Sequence, residues 1–171
     1  MKKLFLPLLF IFIFSGNTYA QANWEGSIKK NEFDGKTYKF INGYLIKPDV
    51  PLDYPFEKLN MYPSIVCGVA PTIGFIFNDI VNLVGGKYLN DKTAEFNFRI
   101  KHGEQLENIK IEQDIAYLDS LFISFADSSR VYEWFKNEET IVLELKHYND
   151  GVRYYKIDTK GFKKVHNDIC M

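Results

Sequence analysis

"TIVLELKHYNDGVRYYKID", residues 140–158, is the stretch whose reading decides the fold. Ile141, Leu143, Leu145 and His147 alternate with Val142, Glu144, Lys146 and Tyr148, the period of a strand with one buried face. Asn149-Asp150-Gly151 suits a three-residue hairpin loop, with Gly151 taking the left-handed position. Pairing Tyr148 with Val152 sets Leu145 opposite Tyr155, Leu143 opposite Ile157 and Glu144 opposite Lys156. That register satisfies an apolar face and a cross-strand ion pair together.

The same grammar repeats upstream. In TAEFNFRIKHGEQLENIKIE, residues 93–112, Ala94, Phe96, Phe98 and Ile100 line one face while Glu95, Asn97, Arg99 and Lys101 line the other, and His102-Gly103-Glu104 makes the turn. Further strands are expected at 24–28, 37–47, 64–69, 73–78, 80–84 and 120–126, with Asn42-Gly43 read as a bulge in one long strand. Two short helices interrupt them. Asp127-Ser128-Ser129 caps one running to about Asn137, and the other starts near Gly161 with Phe162, Val165 and Ile169 at helical spacing. Turn chemistry recurring every ten residues or so favours an all-β fold over α/β units. The expectation is an antiparallel β-sandwich with one or two short helices, the last at the C-terminus.

The first residues carry a different signal. Lys2 and Lys3 precede an apolar run from Leu4 to Phe14, and Thr18-Tyr19-Ala20 is a small-x-small cleavage site. This is the pattern of a secretory signal peptide, with an apolar core too short to span a bilayer. Cleavage after Ala20 leaves a mature chain of 151 residues, 21–171, the size of one domain with a full core. It also removes two lysines and no acid, so the formal charge moves from −1 to −3. A mildly acidic domain of this kind is a poor nucleic-acid binder. The localisation read from these residues is the bacterial periplasm.

Chemistry is sparse. Two cysteines in an exported chain default to a disulfide, and Cys67 with Cys170 would tie down the C-terminal helix. The rival reading, Cys67 as a nucleophile with a histidine partner, is the weaker one in an oxidising compartment. His102, His147 and His166 show no metal-ligand spacing. VGGKYLNDKT departs from a phosphate loop at Val81, where that pattern needs Gly, and reads as a turn. The carboxylate pairs Glu138/Glu139, Asp49/Asp53 and Glu112/Asp114 sit where strand ends place solvated acids, although Glu112 and Asp114 share a strand face as a glycosidase pair would. No catalytic residue, metal or cofactor is assigned.

Aromatics are the candidates for binding. Tyr148 and Tyr154 fall outward in the hairpin, and Tyr54, Phe56 and Tyr62 belong to the proline-rich stretch at 48–63, the expected partner-facing loop. The partner class is a protein or the cell envelope, with no nucleic acid and no stable membrane insertion after cleavage.

The order of landmarks resembles a known layout. Trp24 follows the signal, then an acidic turn at Asp34-Gly35, a P-S-I-V-C strand from Pro63 to Cys67, a strand ending F-R-I at Ile100, and the closing K-I-D-T-K-G-F…C from Lys156 to Cys170. In this the chain resembles the VasI-like periplasmic accessory proteins of type VI secretion loci. The resemblance implies a shared β-rich fold and a secretion-accessory role, and carries over no catalytic residues. Two departures stand out: Ile157-Asp158 where the family pattern has Phe, and residues 48–63, which look like an insertion.

Overall fold

A computed structural model describes residues 19–21, 24–32 and 35–171. The charged and apolar parts of the expected export signal lie outside the described residues.

Among these residues eleven strands and two helices form in the order β1 (Tyr19–Gln21), β2 (Trp24–Lys30), β3 (Thr37–Gly43), β4 (Met61–Val66), β5 (Thr72–Phe77), β6 (Lys87–Tyr88), β7 (Thr93–His102), β8 (Gln105–Asp114), β9 (Ser120–Ile123), α1 (Phe125–Asn137), β10 (Thr140–His147), β11 (Gly151–Asp158) and α2 (Phe162–Cys170). One antiparallel sheet runs β1-β2-β3-β4-β5-β9-β8-β7-β10-β11, with β6 paired to β7. The sheet is not closed. The segment after β3 nevertheless brings its two halves together, since Ile46 bridges Met61 on β4 while Pro48 bridges Tyr155 on β11. Phe77 of β5 meets Tyr155 edge to face at 5.9 Å. The architecture is therefore β-sandwich-like, one long sheet folded over on itself around a shared apolar core.

Alternation builds that core. On β7 and β10, and on β8 from Ile109 onward, every second residue is buried, including Phe96, Phe98, Ile100, Ile109, Ile111, Ile141, Leu143 and Leu145. Asn42 pairs with Ser64 but Ile46 pairs with Met61, so the β3 side carries one extra residue between the two contacts, the count of a bulge.

The decisive hairpin differs from its sequence reading by two residues. His147 pairs with Gly151 and Leu143 with Tyr155, so Tyr148-Asn149-Asp150 is the loop. Tyr148 leaves the ladder because its N–H goes to the Asn82 carbonyl, at 2.9 Å, and both Asn149 and Gly151 have positive φ. A shift of two preserves the faces, so the apolar pattern survives it. Glu144 now lies opposite Tyr154, and its ion partner is Arg99 on β7 rather than Lys156, through contacts of 2.8 and 2.6 Å.

Other boundaries also move: the strand expected at 37–47 stops at Gly43, and the one expected at 120–126 stops at Ile123 because α1 begins at Phe125. The fourth strand is 61–66 rather than 64–69, because Pro71 and the cysteine turn end it early. Residues 80–84 form no strand beyond the single bridge of Leu83 to His147. α1 begins at Phe125 with Ser124 at the N-cap position, so Asp127 lies in its first turn, where its carboxylate accepts the Lys110 N–H.

The two helices seal one end. Phe162 of α2 sits 5.0 Å from Trp24 and 5.5 Å from Phe135 of α1, ring centre to ring centre. Trp24 donates its indole N–H to the Asp158 carbonyl at 3.0 Å. Gly26 lets α2 approach β2 closely, because a Cβ there would overlap Ile169. Cys67 and Cys170 form a disulfide with Cα atoms 5.7 Å apart, closing a separation of 103 residues and anchoring the last residue of α2.

Candidate interaction face

The proline-rich loop is held against the β10–β11 turn by hydrogen bonds rather than by bulk. Asp49 donates its N–H to the Tyr154 carbonyl and accepts the Tyr154 N–H on its carboxylate, both at 2.9 Å. Four residues on, the Asp53 N–H reaches the Asp150 carboxylate at 2.6 Å. Arg153 completes the clasp, bonding the Asp150 carbonyl and reaching the Pro51 carbonyl at 3.5 Å. Leu52 and Leu59 are buried below, so the loop has an apolar footing at two points. On the other side of the turn, Leu83 bridges His147 and the Val84 N–H bonds the Lys146 carbonyl.

This arrangement decides where the five sequence candidates stand. Tyr54 and Tyr148 are carried on neighbouring turns joined by the Asp53–Asp150 bond, and they are 87% and 62% exposed. Val50 of the same loop and Val152 at the start of β11 are also exposed. Tyr154 is on the outer face of β11, where it lines a depression of about 250 Å³ with Arg99, Lys101, Leu106, Val142 and Glu144. Phe56 turns inward and packs against the core. Tyr62 is half-buried on the outer face of β4, opposite Ile76. The structure thus groups Tyr54 with Tyr148, places Tyr154 alongside, and sets Phe56 and Tyr62 apart.

Sequence reasoning missed a second outward surface. Tyr62 shares the outer face of β3, β4, β5 and β9 with Phe40, Val66, Ile76 and Phe122, and Phe122 lies over Gly74. Each residue occupies the polar phase of its own strand, so only the register reveals them as a stripe.

The histidines occupy three separate environments. His102 is buried, stacked on Trp134 at 3.9 Å, with Nε2 at 3.0 Å from Glu107 and Nδ1 at 3.5 Å from Glu138. Arg130 covers the other side of this group, bonding Glu107 and Asp127 and lying 5.3 Å from the Trp134 ring. His147 is buried against Tyr155, with Nε2 at 3.1 Å from the phenol oxygen. Burial pushes His147 down to about 4 and raises the Tyr155 phenol, while burial lifts Tyr132 on α1 to about 12. His166 packs on Tyr132 and Phe162 of the helical end. Among the described residues no group of three or more His, Cys, Asp or Glu side chains comes together to hold a metal ion. Glu112 pairs across to Glu95, whose carboxylate is held by Lys110, and Asp114 accepts the Ala116 N–H of its own turn. No helix among the described residues is long and apolar enough to cross a membrane.

Comparison of the chain with protein-family models, curated proteins and solved structures found no match.

Proposed function

We propose that the chain is an exported periplasmic binding protein without enzymatic activity, which engages a protein or cell-envelope partner through the loop cluster bearing Tyr54 and Tyr148. The observation that carries this reading is the clasp of Asp49, Asp53, Asp150 and Arg153. It holds two exposed tyrosines on ordered backbone, and pre-organised aromatics bind with little further loss of conformational entropy. The resemblance to VasI-like proteins suggests a type VI secretion accessory as the setting. A second reading, a periplasmic inhibitor or immunity protein, uses the same loop as a plug and draws on the acidic residues Asp49 and Asp53 within it.

Affinity capture from periplasm tests the face, comparing the wild type with the Tyr54→Ala/Tyr148→Ala double variant. Both side chains are exposed, so the thermal midpoint should stay unchanged while specific partners are lost from the variant. Identical recovery by the two proteins would sink the proposal. A captured hydrolase or toxin whose activity falls on binding would select the inhibitor reading.

A further inference from the structure

β1 straddles the expected cleavage site. Its register sets Tyr19 opposite Gly26, Ala20 opposite Glu25 and Gln21 opposite Trp24, at the outermost edge of the sheet. Cleavage after Ala20 would remove two of these three residues. The backbone edge of β2 at Glu25 and Gly26 would then stand open, together with the flank of α2 that packs under β1. At the opposite end of the sheet, Pro48 and Asp49 already engage the edge of β11 at Tyr154 and Tyr155.

We propose that export processing uncovers β2 as a docking edge, and that its occupant is β2 of a second copy, paired antiparallel about a two-fold axis at Ser27. The proposal rests on the export reading. Exposed edges are commonly guarded by lysine, and β2 carries Lys29 and Lys30. Such an edge repels most strands, but β2 also carries Glu25 four residues before Lys29, on the same outward face. A strand with opposite charges spaced evenly about Ser27 is complementary to its own reverse. The two-fold at Ser27 sets Glu25 opposite Lys29 of the second copy, twice by symmetry, and each pair is a favourable cross-strand contact. Centring the pairing on Glu25 or on Lys29 would set like charges face to face.

The inward face fits the same register. Gly26, which touches α2 at Val165 and Ile169, would lie opposite Ile28 of the second copy. Ile28 has the inward phase of β2 yet is 54% exposed, an apolar side chain with no cover of its own. Pairing lays it over the α2 flank, at the register position opposite Gly26 that β1 fills in the uncut chain. Before processing, β1 blocks this seat, so pairing waits for export.

Sedimentation velocity over a concentration series, on protein purified from periplasm, tests the edge. The wild type should show a concentration-dependent dimer, and a version beginning at Thr18, which keeps β1, should stay monomeric. Glu25→Lys and Lys29→Glu should each weaken dimerisation about tenfold, from two altered cross-strand pairs per dimer, and the combined reversal should restore it. Glu25 and Lys29 are exposed, so matching thermal midpoints verify that the variants fold. A wild type that stays monomeric throughout would overturn the proposal, as would a dimer indifferent to both single reversals. N-terminal sequencing of the exported protein tests the export reading separately. A start other than Gln21 refutes that reading, while a chain expressed to begin at Gln21 still judges the edge.

Discussion

At the α2 end, Trp24, Phe135 and Phe162 pack ring on ring beneath a disulfide from Cys67 to Cys170. At the β10–β11 turn, the loop 48–56 is fixed by carboxylates, backbone amides and one arginine, with Asp49 and Asp53 exposed and Asp150 and Arg153 largely covered. Apolar burial is strong and non-directional, so the first region holds the fold. Exposed hydrogen bonds contribute little net stability but set orientation, so the second region can fix a loop and still present side chains outward. Stability and presentation are thereby assigned to opposite ends of one sheet, and each can be perturbed without the other.

The largest effect is expected from Phe162→Ala. Phe162 is fully buried and touches three aromatic rings, so truncation should cost about 3–5 kcal/mol through lost burial and a residual cavity. Urea denaturation followed by tryptophan fluorescence measures it, with Tyr148→Ala as the contrasting variant from the other end, expected within about 0.5 kcal/mol of wild type. If both variants cost the same, the division between the two ends fails.

A smaller effect links the core to pH. His147 lies buried against Tyr155, near Asp150 and Arg153, and burial lowers it from 6.5 to about 4. Between those values the unfolded chain binds a proton that the folded chain refuses, so stability falls as pH drops from 6.5 toward 4. The integrated loss is on the order of 3 kcal/mol. Urea midpoints at pH 7 and pH 4.5 should differ in that direction, and His147→Gln should flatten the slope. An unchanged slope in that variant would place the dependence on other groups.

The face alternation of β7, β8, β10 and β11 was legible in the residues because a buried strand face leaves a period of two that no helix shares. The pairing of Cys67 with Cys170 was legible because the sequence holds only these two cysteines, and the helix at Phe162–Cys170 because of its helical spacing. The hairpin register was not. Whether Tyr148 stays in the ladder depends on a competing carbonyl at Asn82, a contact spanning 66 residues that no local pattern encodes. The same holds for the candidate face. Tyr54 and Tyr148 could each be named as exposed aromatics, but only the Asp53–Asp150 bond makes them one surface. Phe56 shows the converse, an aromatic in a loop that the fold turned inward. The stripe of Phe40, Tyr62, Val66, Ile76 and Phe122 was invisible because it exists only across four strands.

Asp150→Ala should have the smallest effect on stability and the most informative one on function. Its carboxylate accepts the Asp53 N–H and faces Arg153, and its side chain is only 4% exposed, so its loss leaves a largely covered guanidinium and an amide without this acceptor, at a cost of about 1–3 kcal/mol. The global unfolding midpoint should therefore fall, but by less than in Phe162→Ala. Amide exchange should tell a different story: the Asp53 N–H loses its acceptor and should exchange much faster, while amides of β7 and β8 stay protected. Asp150→Asn keeps an acceptor oxygen in place and should recover most of that protection. If partner capture falls in Asp150→Ala and returns in Asp150→Asn, with Tyr54 and Tyr148 intact in both, the clasp itself is what binding requires. If capture is the same in all three proteins while Asp53 exchanges freely, loop order is irrelevant to recognition, and the β10–β11 turn loses the role that distinguishes it from the α2 end.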